Sequence, residues 1–196
     1  MTSTGEDREN AIDVSLMAQV ARGDHAAFEE LVVRHQNAVV GTVAKMLGNA
    51  NDAEDIAQQV FVRLWKSAPR YKPTAKFTTF LFTIVRNLVF NETRRRKSRK
   101  VHSLEEQEEE WHQQLSGDAR EQPDEEVLQG ELKVAIDKAI ESLPEKQRMA
   151  VILRRYENLP YEDIATTLDL SVSAVKSQLF RARGALREAL QQYLDS

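Results

Sequence analysis

Cysteine is absent from this chain of 196 residues, so disulfides, thiolate metal sites and a cysteine nucleophile are excluded. Long apolar runs are missing too, and none approaches the about 20 residues a membrane-spanning helix needs. The N-terminal stretch MTSTGEDREN lacks the basic flank and apolar core of a signal peptide, so a cytoplasmic protein without a membrane partner is expected. The four histidines, His25, His35, His102 and His112, show no metal-ligand spacing. There is no glycine-rich phosphate loop, no alternating strand pattern and no internal repeat. No cofactor, no metal and no enzymatic activity are expected. What is present is 41% hydrophobic and 30% charged residues with only seven glycines, the composition of a helix-rich globular chain.

The formal net charge of −4 argues at first against a nucleic-acid partner. Its distribution reverses that argument. Residues 101–130 hold ten carboxylates and one arginine, so the remainder of the chain is net basic. One basic group comprises Arg86, Arg94, Arg95, Arg96, Lys97, Arg99 and Lys100, with Glu92 the single carboxylate among them; a second comprises Lys176, Arg181, Arg183 and Arg187. The expected organisation is therefore all-α: a helical block over residues 12–97, an acidic flexible linker over 98–130, and a second helical block over 131–194. The linker has too few apolar residues for a core and is expected to be extended, with short helical turns allowed around Glu105 to Gln114. In the free chain its carboxylates could screen the basic faces.

Residues 159–190 carry the most information. Ile164, Ala165 and Leu168 give one short helix a buried side, and Val172, Val175, Leu179, Ala182 and Leu186 give the next helix its own. Ser171 stands at the N-cap position of the second helix, and Asp169-Leu170 supplies the sharp turn. This is the pattern of a DNA-binding helix-turn-helix, whose second helix enters the major groove. On a 100° wheel Ser173, Ser177, Phe180, Arg181 and Gly184 point away from the apolar stripe, with Lys176 and Arg183 at its flank. Serine bonds either groove edge, Lys or Arg favours guanine, and an apolar group meets a thymine methyl. The competing reading is a helical hairpin with a solvated basic face and Phe180 packed on a neighbour.

In the first block, Phe28, Leu31, Val32, Val39, Val40, Val43 and Leu47 mark an amphipathic helix ending at the Gly48-Asn49 turn. The next runs from Asp52 to about Ser67 with Ile56, Val60, Phe61 and Leu64 as its core stripe. Asp55, Gln58, Gln59, Val62 and Lys66 share its opposite face, a candidate protein-binding surface. A third helix follows Pro73, with Phe77, Phe80, Leu81, Ile84, Val85 and Leu88 as core. Phe82 and Arg86 fall on the other side, Asn87 at the margin, and the Arg94-Arg95-Arg96 run just beyond. Cations to track phosphate, a ring to stack on an unpaired base and an amide to bond its edge suit the holding of separated DNA strands. A solvated helix end favoured by the dipole would look similar.

In order, AFEELVVRHQNAVV, DAEDIAQQVFVRLWKS, FTTFLFTIVRNLVFNETRRRK, LPEKQRMAVILRRYENLPYEDIA and SVSAVKSQLFRARGAL resemble the extracytoplasmic-function sigma factors of bacterial RNA polymerase over almost the whole chain. That resemblance implies a first domain, sigma region 2, that binds core polymerase and opens the promoter minus-ten element. It implies a second, sigma region 4, that reads the minus-thirty-five element. By the same likeness Asp55, Gln58 and Gln59 would dock on the clamp of the largest polymerase subunit. Asn87 would help capture a flipped minus-ten base, and Lys176, Ser177, Phe180 and Arg181 would read the minus-thirty-five element. Core polymerase, promoter DNA and an anti-sigma factor are the partners implied. Phe80 stands where the family usually has tryptophan, and Pro160 replaces the usual serine cap before Tyr161. The alternative is a stand-alone helix-turn-helix regulator whose first block senses or dimerises.

Overall fold

The structure, a computed structural model, describes residues 3–48, 50–106 and 125–194. Among these every regular element is helical: α1 (Ser3–Val20), α2 (His25–Leu47), α3 (Ala50–Ser67), a 3₁₀ turn (Ala68–Arg70), α4 (Phe77–Glu106), α5 (Glu125–Ser142), α6 (Glu145–Arg155), α7 (Tyr161–Leu168), α8 (Val172–Ala189) and the short α9 (Gln191–Leu194). The all-α class matches the expectation from periodicity.

Local chemistry sets the ends of α2. Asp24 accepts a hydrogen bond from the Ala27 N–H at 3.1 Å, and Gly48 closes the helix in the left-handed region at φ 66°. The left-handed backbone at Gly48 is what favours glycine there; an added side chain would also have to displace the flexible Glu141 carboxylate. The α2–α3 hairpin is then sealed by aromatic contacts. Trp65 stacks on His25 with centroids 4.8 Å apart and takes the edge of Phe28 at 5.1 Å.

The first half of α1 lies outside the expected first block. The helix buries Leu16, Met17 and Val20, and polar contacts fix its place. Asn10 Oδ1 accepts the Phe77 N–H at 2.7 Å, capping the first turn of α4 from 67 positions away. The nearly buried Asp13 accepts from Arg34 Nε at 2.8 Å and lies 3.0 Å from His35 Nε2.

The second module packs α5, α6, α7 and α8 around Ile140, Met149, Ile152, Leu153, Ile164, Leu168, Val175 and Leu179. Its helix-turn-helix forms as expected. Asp169 adopts the left-handed region at φ 54°, and Ser171 accepts a hydrogen bond from Ala174 N–H at 3.1 Å. Ser171→Ala should therefore cost about 1 kcal/mol, read as a lowered urea midpoint with unchanged slope.

The expected linker is helical at both described ends. α4 continues through Glu106, about 45 Å for its 30 residues, and α5 begins at Glu125. The reason is propensity: Arg, Lys and Glu are good helix formers once a packed turn nucleates them. The acidic segment between, with most of the expected helical turns and of the proposed charge screen, lies outside the described residues.

The two modules are packed together. α7 runs against α4, and α5 and α6 against α2, so that one continuous hydrophobic cluster includes residues of both. Arg148 ties them. Its guanidinium donates to the Met46 carbonyl at 2.6 Å, at the C-terminal end of α2, and to the carbonyls of Leu143 and Glu141. Burial lowers the Arg148 pKa from its ordinary value, against the pull of Glu141 and Glu145.

Candidate nucleic-acid interface

α8 presents two chemically distinct sides. Val175, Leu179 and Ala182 are buried, while Ser173, Lys176, Ser177 and Arg181 are exposed. Phe180 is 79% exposed, the most exposed large hydrophobic of the described chain. Among the described residues nothing covers it, which speaks against the reading in which that ring packs on a neighbour. Ser177 Oγ donates to the Ser173 carbonyl at 3.1 Å, leaving its lone pairs free to accept from outside.

α4 departs from expectation. Phe77 is fully buried as anticipated, but Phe80 is only half-buried and leans on Tyr71, with centroids 4.9 Å apart. Phe82, expected on the outer side, is 2% exposed. Arg86 is half-buried, with its Nε shielded and without a hydrogen-bond partner. The cause is tertiary: α4 is covered by α2 and α3 on one side and by α7 on another. Asn87 and Arg94 remain exposed.

The cations beyond Asn87 are not equivalent. Arg95 pairs with Glu92 at 2.7 Å while staying open to solvent. Arg96 is held by Glu92 at 3.0 Å and by Asp52 of α3 at 2.6 Å, which makes it a tie between helices. Burial pushes the Glu92 pKa up, but Arg95 and Arg96 together outweigh it and hold the carboxyl below its usual range. Among the described residues, Arg94, Lys97 and Arg99 are thus the exposed cations at this end of α4, with Arg95 half engaged.

Beside Asn87's helix the structure gathers a basic hollow of about 630 Å³. Arg63, Ser67, Tyr71, Lys72, Phe80 and Ile84 line it, drawn from α3, the loop after it and α4. Most of these were not singled out from sequence. Their signal was present in Arg63, Lys66, Arg70 and Lys72, basic residues flanking an aromatic, but they become one site only when two helices converge.

On α3, Asp55, Gln58, Gln59 and Val62 share an exposed stripe opposite buried Ile56, Val60 and Leu64. Val62 is 50% exposed. Among the described residues no group of His, Asp and Glu is arranged to hold a metal, and no helix is long and apolar enough to cross a membrane.

Comparison with known proteins bears on this geometry. Residues 31–99 match the family model of Sigma-70 region 2, and residues 133–186 match that of Sigma-70, region 4. The chain is 33% identical over 187 residues to the RNA polymerase sigma-H factor of Pseudomonas aeruginosa, covering 93% of this chain and 95% of that one. It is 34% identical over 190 residues to the ECF RNA polymerase sigma-E factor of Escherichia coli K12, covering 93% and 96%. The chain belongs to the extracytoplasmic-function sigma factors. Two solved structures share its fold. CnrH, in complex with the cytosolic domain of CnrY, superposes with a TM-score of 0.67 at 24% identity over 92% of this chain and 98% of that one. RpoE of Bartonella quintana, in complex with the anti-sigma factor NepR, gives 0.63 at 24% identity over 84% and 96%. As a sigma factor the protein is not an enzyme; it directs core RNA polymerase to promoters and so sets where transcription initiates. The stand-alone regulator is not favoured.

Proposed function

We propose that this sigma factor reads the minus-thirty-five element with Ser173, Lys176, Ser177, Phe180 and Arg181. In the same reading it holds the opened minus-ten strand with α4 and docks on the polymerase clamp through Asp55, Gln58, Gln59 and Val62. The observation that carries the reading is Phe180, a fully presented ring among hydroxyls and cations on a helix whose opposite side is core. In a major groove the ring meets a thymine methyl while Lys176 and Arg181 reach guanine acceptors.

For the minus-ten strand, the hollow lined by Tyr71, Phe80 and Arg63 offers a joined aromatic surface for an unpaired base to stack on and cations for its phosphates. Asn87 is exposed nearby on α4 with an amide free to bond a base edge. Arg94 and Arg95 would follow the phosphates; Arg96 contributes through the placement of α4 on α3. Phe82 is buried and Arg86 half-buried, so both could join only after their present packing opens. The region 2 domain spans 12–97 and region 4 spans 131–194 in this reading, with 98–130 as the tether. The site of action is the cytoplasm, where polymerase and the chromosome are. An anti-sigma factor completes the set of partners, since it need only cover these same faces.

Arg181→Ala in the reconstituted holoenzyme tests the assignment. The expected loss is about 1–3 kcal/mol of promoter affinity, with relaxed preference at one or two minus-thirty-five positions. Binding competitions across a randomised minus-thirty-five library measure it. A uniform loss over all sequences would make Arg181 a phosphate contact and remove it from the reading set.

A further inference from the structure

The hollow around Tyr71 is walled on one side by a loop with little structure of its own. Between the 3₁₀ turn and α4, Lys72, Pro73, Thr74 and Ala75 are all exposed. Within this stretch the backbone bonds itself at two points, Tyr71 N–H to the Ala68 carbonyl at 3.1 Å and Thr74 N–H to the Lys72 carbonyl at 2.8 Å. A segment so lightly tied must be held from outside if a ligand is to meet it in one shape. Ordering it at the moment of binding would subtract from affinity.

α1 supplies that hold at both ends. It packs on the 3₁₀ turn just before the loop and on α4 just after it. At the far end, Asn10 Oδ1 takes the Phe77 N–H at 2.7 Å, the donor that opens α4. Phe77 is fully buried, so in this packing solvent does not reach that N–H and Asn10 is its acceptor. Next to it Glu6 Oε2 lies 3.5 Å from Lys76 Nζ, a cation that Asp163 of α7 shares at the same distance. At the near end Tyr71 joins the two sides. Its ring lines the hollow against Phe80, while its hydroxyl is buried with no hydrogen-bond partner among the described residues. Burial, and then the charge of Asp13, raise the Tyr71 pKa, so the phenol end lies in the field of α1. α1 is itself anchored. Leu16, Met17 and Val20 are buried in the core, and Arg34 of α2 bonds both Glu9 and Asp13.

We propose that α1 is a staple across loop 71–76 and that Asn10 is a positioning residue for the minus-ten strand. Asn10 touches no DNA in this scheme. It keeps the start of α4 and the loop in the shape in which the hollow takes an unpaired base. The proposal rests on the reading of that hollow as the seat of a minus-ten base. A cap that only stabilised the fold would shift the melting temperature and leave base discrimination as it was.

The test uses the full chain reconstituted with core polymerase. Two DNA probes separate the roles: a duplex carrying the minus-thirty-five segment alone, and the same duplex continued as a single strand randomised over the minus-ten positions. Asn10→Ala should bind the second probe roughly two- to thirtyfold more weakly, the equilibrium equivalent of one lost helix cap, and sort its bases less sharply. Binding to the first probe and assembly with core polymerase should stay within about twofold. Asn10→Asp keeps an oxygen on the Phe77 N–H and adds a charge that suits a helix N-terminus but repels DNA. It should restore affinity and sorting on the second probe to within about twofold of the unmodified chain. Unchanged binding by Asn10→Ala overturns the staple, as does an equal fall on both probes or a loss of assembly. So does an Asn10→Asp chain as weak as Asn10→Ala, the behaviour of a residue that meets DNA directly. The hollow fails separately: if Tyr71→Ala binds and sorts the second probe as the unmodified chain does, the minus-ten base sits elsewhere. If Tyr71→Ala is impaired and Asn10→Ala is not, the staple alone falls.

Discussion

Phe77→Ala should remove about 3–5 kcal/mol of folding stability, the cost of deleting a fully buried ring whose site cannot collapse. Phe77 has no exposed surface. Its ring meets His35 at 5.1 Å and Tyr71 at 6.3 Å, between α2 and the loop that enters α4. Its backbone N–H is taken by Asn10 of α1. Three separate pieces of the first module, α1, α2 and the loop before α4, therefore converge on one residue. Against a total of about 5–15 kcal/mol for a domain, such a loss is a large share. At this chain length it corresponds to a drop of roughly 6–20 °C in melting temperature. Phe77→Leu should cost less than about 1.5 kcal/mol, because volume and apolarity are largely kept. Urea unfolding of both variants measures the difference. A Phe77→Ala loss under about 1 kcal/mol would mean that this junction is not the keystone of the module.

How far such features can be read without a structure depends on the range of the interactions that set them. The helix-turn-helix was legible to the residue. The Ser171 cap, the left-handed Asp169 and the stripe of Val175, Leu179 and Ala182 are all determined within a few positions. The Gly48 turn and the core side of α3 were legible for the same reason. α1 was not. Its sequence STGEDRENAIDVSLMAQV has a thin apolar stripe, and its place depends on Asn10 reaching Phe77 and Asp13 reaching Arg34, contacts 67 and 21 positions away.

Phe82 shows the limit most clearly. A wheel of α4 alone assigns it to the outside, since the core stripe runs through Phe77, Leu81, Val85 and Leu88. α4 packs against α1, α2, α3 and α7, the last more than 70 positions further along, and no periodicity in α4 carries that information. The ties that hold Arg96 were illegible for a related reason. The place of Arg96 in a basic run suggests phosphate, whereas Asp52, on a different helix, has already claimed one side of its guanidinium. Composition identifies charges; only the fold decides which of them are available. The basic hollow around Tyr71 belongs to the same class, with its lining residues scattered over α3, a loop and α4.

A Val62→Asp sigma factor should lose core polymerase. Val62 stands half exposed on α3 between Gln58, Gln59 and Lys66, and its Cβ points away from the module's own core. Substitution there leaves the helix and its buried side intact, so circular dichroism and melting temperature should barely change. A small apolar residue ringed by amides and a carboxylate has the anatomy of an interface centre, dry in the middle and polar at the rim. Placing a carboxylate at that centre forfeits the apolar contact and forces a charge into a site emptied of water. The expected penalty is about 2–4 kcal/mol, roughly 30- to 1,000-fold in affinity. Val62→Ala, which only shortens the contact, should cost about 1 kcal/mol or less. Competition with a labelled reference sigma factor for limiting core polymerase would rank the two. Val33→Asp on α2 introduces the same charge at another exposed valine outside the α3 stripe and should leave assembly within about twofold, inside the ordinary range of surface substitutions. If Val62→Asp competes as well as the unmodified chain, the outer side of α3 is not the docking surface. If both valine variants fail alike, the surface extends from α3 onto α2, and Asp55, Gln58 and Gln59 form only one edge of it.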